Sequence, residues 1–141
     1  MPYAEGTSVP VERTQMEIRG LVERYKGRGV LVGEDWQERA ATVMFAMNGR
    51  RIRFKLSLTP ENQLKGDRLA RFHRERWRAL FLTIKAKLVS AESGIEAFEE
   101  AFMAQTVMPD GRTVGEHALP TIALAYEGKE AGPLLTFGGG E

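Results

Sequence analysis

The chain has 141 residues, 43% of them hydrophobic and 28% charged, the balance of one ordinary folded domain. It contains no cysteine, which excludes disulfides, a thiol nucleophile and cysteine-held zinc, and no apolar run approaches the ~20 residues that would span a bilayer. The net charge of +1 hides an asymmetry: residues 50–87 carry twelve positive and three negative side chains, and residues 88–141 carry two positive and nine negative.

Residues 1–10 read as an irregular arm with Gly6 and two prolines. They lack the basic start and apolar stretch of a secretory signal, so a cytoplasmic setting is expected. A first helix is expected over residues 11–26. Ser8 or Thr14 would cap it, Thr14 forming a capping box with Glu17. Met16, Leu21, Val22 and Tyr25 would face inward, and Gly27 and Gly29 would stop the helix.

Val30-Leu31-Val32 predicts a strand and Gly33-Glu34-Asp35 a turn. Ala41, Val43, Phe45 and Met47 then alternate with Thr42, Met44 and Ala46. After Asn48-Gly49, Ile52, Phe54, Leu56 and Leu58 alternate with Arg51, Arg53, Lys55 and Ser57. Asn-Gly between two alternating runs is a hairpin signal, because both turn positions need positive φ. Pairing Met47 with Arg50 puts Ala41, Val43, Phe45, Ile52, Phe54 and Leu56 on one face, the core. Arg51, Arg53 and Lys55 then stand together on the other.

Residues 67–105 hold apolar side chains at Trp77, Leu80, Phe81, Ile84, Leu88, Ala91, Ile95, Phe98 and Phe102. Steps of three and four predict one buried helix face, with Asp67 as its cap. Basic residues lead the stretch and acidic ones end it, against the macrodipole of one continuous helix. Two helices broken near Ser93-Gly94 fit better. Pro109 and Asp110-Gly111 set a turn. Thr113 and Glu116 form a capping box for a short helix with Leu119, Ile122, Ala123 and Tyr126 on one side, interrupted by Pro120. Residues 128–141 read as a flexible glycine-rich tail, anchored by Leu134, Leu135 and Phe137. The expected architecture is one α+β domain over residues 1–127. It has an N-terminal helix and a small antiparallel sheet of about three strands with an Asn-Gly hairpin, covered by one long or broken helix.

No catalytic pattern is legible. His73 and His117 lack metal-ligand spacing, no serine has a histidine nearby in sequence, and Gly138-Gly139-Gly140 lies between no strand and helix. No cofactor, metal site or catalytic residue is therefore assigned. Charge placement points instead to nucleic acid. Arginine outnumbers lysine in the basic third, and its planar fork suits phosphate and stacks on bases. Arg71, Arg74, Arg78 and Lys85 share a helical stripe. With Arg50, Arg51, Arg53 and Lys55 they would line a groove if the helix packs beside the exposed sheet face, and would point apart if it packs beneath the core face. Trp77 fits the core stripe, which leaves Phe72 as the aromatic open to stacking.

Residues 8–14 (SVPVERT), 77–88 (WRALFLTIKAKL) and 108–115 (MPDGRTVG) resemble a set of small uncharacterised proteins of phages and prophages. The resemblance implies a small phage protein acting in the bacterial host cytoplasm, as a DNA-processing accessory, an inhibitor of host defence or a minor virion component. The expected function is non-catalytic binding of nucleic acid, single-stranded DNA above duplex, in phage replication or recombination. The alternative is a protein-binding inhibitor or a self-assembling virion part, a homo-oligomer joined head to tail by its basic and acidic thirds.

Overall fold

A computed structural model describes residues 7–135 of the chain. The arm before Thr7 and the Phe137 anchor lie outside the described residues. Helix α1 (Val11–Arg24) leads into a three-stranded antiparallel sheet in the order β1 (Arg28–Asp35), β2 (Ala40–Met47), β3 (Arg50–Ser57). The long helix α2 (Asp67–Glu92) follows, then the four-residue α3 (Phe98–Ala101), a 3-10 turn at Met103–Gln105, and α4 (Val114–Tyr126).

Between β2 and β3 the register is Met47↔Arg50, Phe45↔Ile52 and Val43↔Phe54. Asn48 and Gly49 join the strands at φ 53° and 72°, conformations that asparagine and glycine tolerate best. Ala41, Val43, Phe45, Ile52, Phe54 and Leu56 are all buried on one face. Leu21, Val22 and the previously unassigned Ile18 of α1 pack there, with Trp77, Leu80, Phe81, Ile84 and Leu88 of α2. The centre is aromatic. Phe102 stacks on Phe98 at 4.8 Å and meets Phe45 and Phe54 edge-on at 6.3 and 6.2 Å. The two long helices run side by side in one direction. Arg74 reaches the Thr7 carbonyl, Arg78 pairs with Glu17, and the Tyr25 hydroxyl donates to Glu92 at 3.0 Å.

Several local expectations give way to packing. Met16 points to solvent and Thr14 is buried inside α1 rather than capping it; Pro10 occupies the N-cap. Gly66, not Asp67, is the N-cap of α2, and Asp67 sits in the first turn, where its charge suits the positive helix end. The apolar stripe stops at Ala91: α2 ends at Glu92 with Ser93 as its C-cap, Gly94 turns at φ 79°, and Ile95 is 79% exposed. The change of direction there re-aims the next residues, so Phe98 and Phe102 enter the core from a separate short segment. Lys87 of α2 donates to the Ala101 carbonyl at 2.8 Å and so closes the end of α3.

Residues 106–117 form a strap past the free edge of β3. The Val107 N–H donates to the Arg51 carbonyl at 2.8 Å, and Thr106 bridges Ile52, which pairs part of that edge. The Thr113–Glu116 capping box then opens α4. Pro120 cannot donate to the Glu116 carbonyl one turn back, and the Arg112 side chain takes that carbonyl at 2.9 Å. Past this point α4 loses its cover. Leu119 is 64% and Tyr126 90% exposed, and the expected apolar side of the helix faces solvent instead of a core. Leu134 and Leu135 are exposed too among the described residues.

Candidate nucleic-acid interface

The two basic sets fall on different faces of the sheet. Trp77, Leu80, Phe81 and Ile84 share one core with Val43, Phe45, Ile52 and Phe54, so α2 lies against the core face. Arg51, Arg53 and Lys55 alternate with Ile52, Phe54 and Leu56 and emerge on the opposite face. The common groove that would join them does not form.

The helical set is also committed internally. Arg74 and Arg78 of its stripe face the seam with α1, while Arg71 and Lys85 are exposed. Arg78 donates to Glu17 at 2.6 Å and lies 4.5 Å from the centre of the Phe81 ring. Arg74 reaches the Thr7 carbonyl at 3.5 Å, and Arg76 donates to the Ser57 carbonyl at 2.9 Å. Arg71 pairs with Glu75 one turn on, at 3.2 Å. Lys85 is exposed beside Arg24 in a shallow hollow between the helices. Phe72 is half-buried and lines a hollow with Pro60 and Arg76. Trp77 is 1% exposed, a packing residue.

The sheet's other face is different in kind. No helix packs across it among the described residues; the strap and the start of α4 flank its β3 margin. The register aligns Arg28, Ala46 and Arg51 in one row, and Leu31, Met44 and Arg53 in the next. Gly33, Thr42 and Lys55 form a third. The result is a flat centre of small and apolar side chains bordered by cations from both outer strands. Arg28 and Arg51 are exposed and have no side-chain partner among the described residues. Arg50, at the turn, stands 3.7 Å from Glu99.

Glu116 is the acid of this face. It reaches Arg53 at 2.5 Å and Lys55 at 3.4 Å, while Arg53 also donates to the Gly111 carbonyl at 2.9 Å. Burial alone would raise the Glu116 carboxyl. The Thr113 N–H and the Arg53 and Lys55 charges overcome that and hold it below the ordinary glutamate value. Behind it, His117 Nε2 lies 2.8 Å from the Asp110 carboxylate, both side chains buried, which ties the Asp110-Gly111 turn to α4.

Arg28 escaped the sequence reading because its flanking glycines mark a helix stop. The signal that finds it is register: β1 begins early enough to set Arg28 opposite Ala46. Among the described residues no group of three His, Asp or Glu side chains could hold a metal, and no helix is long and apolar enough to cross a membrane. Comparison with family models, curated proteins and solved structures finds no match.

Proposed function

We propose that this protein binds single-stranded DNA without catalysis, through the open face of its sheet, as an accessory to phage replication or recombination. The supporting observation is the unpartnered pair Arg28 and Arg51 in one row across the sheet, continued by Lys55 along the same strand. Guanidinium groups at that spacing present forked donors to a phosphate backbone, and the flat centre admits bases. The helix cations stand apart from this row, since α2 lies against the core face and Arg74, Arg76 and Arg78 are held by Thr7, Ser57 and Glu17.

The test is a labelled oligonucleotide titration at two salt concentrations. Affinity falls steeply with salt, because each phosphate contact releases counterions. Replacing both Arg28 and Arg51 by alanine lowers the slope of log affinity against log salt by about 1.4, at ~0.7 per contact for a single strand. Arg71→Ala, on the other side of the molecule, leaves it unchanged. Absence of binding at low salt, or binding indifferent to salt, removes the proposal.

A second reading has its own observation. The exposed Leu119, Ile122 and Tyr126 of α4 suit a protein partner, and a failed titration would leave that reading in possession.

A further inference from the structure

At the end of the sheet away from Asn48-Gly49, the chain builds a cleft of about 640 Å³, in the size range of small-molecule sites. Its walls are the β1–β2 connection, the loop of residues 59–66 and the first turns of α2. Leu58, Leu64 and Leu69 supply apolar lining. Trp36 stands at the edge, 79% exposed. The turn that presents it is built for the purpose: the Asp35 carboxylate accepts from the Gln37 and Glu38 N–H groups, both at 3.0 Å. Arg39 follows at φ 49°, with its carbonyl held by the Leu58 N–H at 2.7 Å.

Three residues with nitrogen-bearing side chains, Arg39, Lys65 and His73, line this cleft. None has a side-chain hydrogen bond or ion pair among the described residues. Glu34 and Glu61 line it as well. An occupant that satisfies all of these needs a planar ring for the indole, an anion for Arg39 and Lys65, and hydroxyl or amino donors for the glutamates. An aromatic acid without hydroxyl or amino substituents lacks the donors and inorganic phosphate lacks the ring. The geometry points to a nucleotide, with its base on Trp36 and its phosphate on Arg39 and Lys65. A free mononucleotide and the terminal nucleotide of a strand offer this chemistry alike. The cleft and the row of Arg28 and Arg51 lie at opposite ends of the sheet, so this site stands or falls separately from the open-face proposal.

The two tryptophans make the test direct. Trp77 is 1% exposed, so a ligand that changes tryptophan fluorescence on contact reads Trp36. Titration of the full chain with adenosine 5′-monophosphate gives saturable quenching. Adenosine binds roughly fivefold or more weakly, and so do the Arg39→Gln and Lys65→Gln variants. Trp36→Leu abolishes the quenching and, by calorimetry, weakens binding roughly fivefold or more. A 5′-phosphorylated oligothymidylate that also quenches identifies a strand end as the source; quenching by the mononucleotide alone identifies the free nucleotide. Substituting Arg28 and Arg51 leaves mononucleotide binding intact. Quenching that does not saturate, or that is equal for adenosine and the monophosphate, overturns the proposal.

Discussion

Glu116 shows how one carboxylate can set what a basic surface does. It occupies the side of Arg53 that a phosphate would need and draws Lys55 in as well. Glu116→Gln therefore raises oligonucleotide affinity at low salt several-fold, read in the same titration. Glu17 plays the structural counterpart. The Arg78 hydrogen bond, against a smaller opposing effect of burial, holds its carboxyl below 4.5, with the Arg78 charge and Arg13 adding to the shift. Both glutamates bind protons more weakly folded than unfolded, so the stability they contribute is complete above 4.5 and is lost as pH falls through the lowered values. The urea midpoint should drop on acidification below 4.5, and the double variant Glu17→Gln, Glu116→Gln should drop less. In the core, Phe102 is fully buried against three aromatic rings, and Phe102→Ala should cost ~3–5 kcal/mol in urea unfolding.

Between α1 and β1 the chain turns within a very small space. A methyl group on Gly27 would lie 2.6 Å from Val22 Cγ1, 2.7 Å from Met47 Cε and 3.1 Å from the Ala46 carbonyl oxygen. Gly27→Ala should therefore destabilise by ~1–3 kcal/mol through overpacking, although Gly27 has no positive φ to excuse it. Gly20, with open space around it, should tolerate alanine. At the other extreme α4 is held mainly at its start, by the capping box, the Arg112 side chain and the 3-10 turn beneath it. Its amides past Pro120 should exchange with solvent by local fraying. Those of α2 around Ile84 and Leu88 should exchange only in global unfolding.

At the scale of the whole molecule, several opposite charges are matched inside one chain, as the Arg78–Glu17, Arg53–Glu116 and Arg50–Glu99 pairs show. Of the α2 cations, Arg74, Arg76, Arg78 and Lys87 are held within the chain, while Arg68 and Lys85 are exposed. An assembly that rests on the exposed apolar side of α4 should show the same mass by light scattering at low and high salt. A mass that falls as salt is added would instead reveal head-to-tail ion pairing. The open sheet face and the Trp36 cleft give the molecule two separable surfaces. Substitutions at Arg28 and Arg51 act on the first, and those at Trp36 and Arg39 on the second.

Alternation along residues 41–58 is enough to choose the core face of β2 and β3, because a pleated strand has a period of two and a slip would bury arginines. The stripe from Trp77 to Leu88 likewise names the buried side of α2. Asn48-Gly49 and the Thr113–Glu116 box are legible because each is a local device whose partners lie within a few residues. What residues alone could not decide was anything that depends on which elements become neighbours. Ile95 continues a helical period but falls beyond the helix, and the Leu119–Tyr126 side is amphipathic without meeting a core. Arg78 and Arg74 of α2 look available until α1 supplies Glu17 and the segment before it supplies the Thr7 carbonyl. Only tertiary packing sends the two basic sets to opposite faces, sets Arg28 and Arg51 in one row on either side of Ala46, and brings Trp36 and His73 to one cleft, since these placements join segments whose separation in sequence carries no periodic trace.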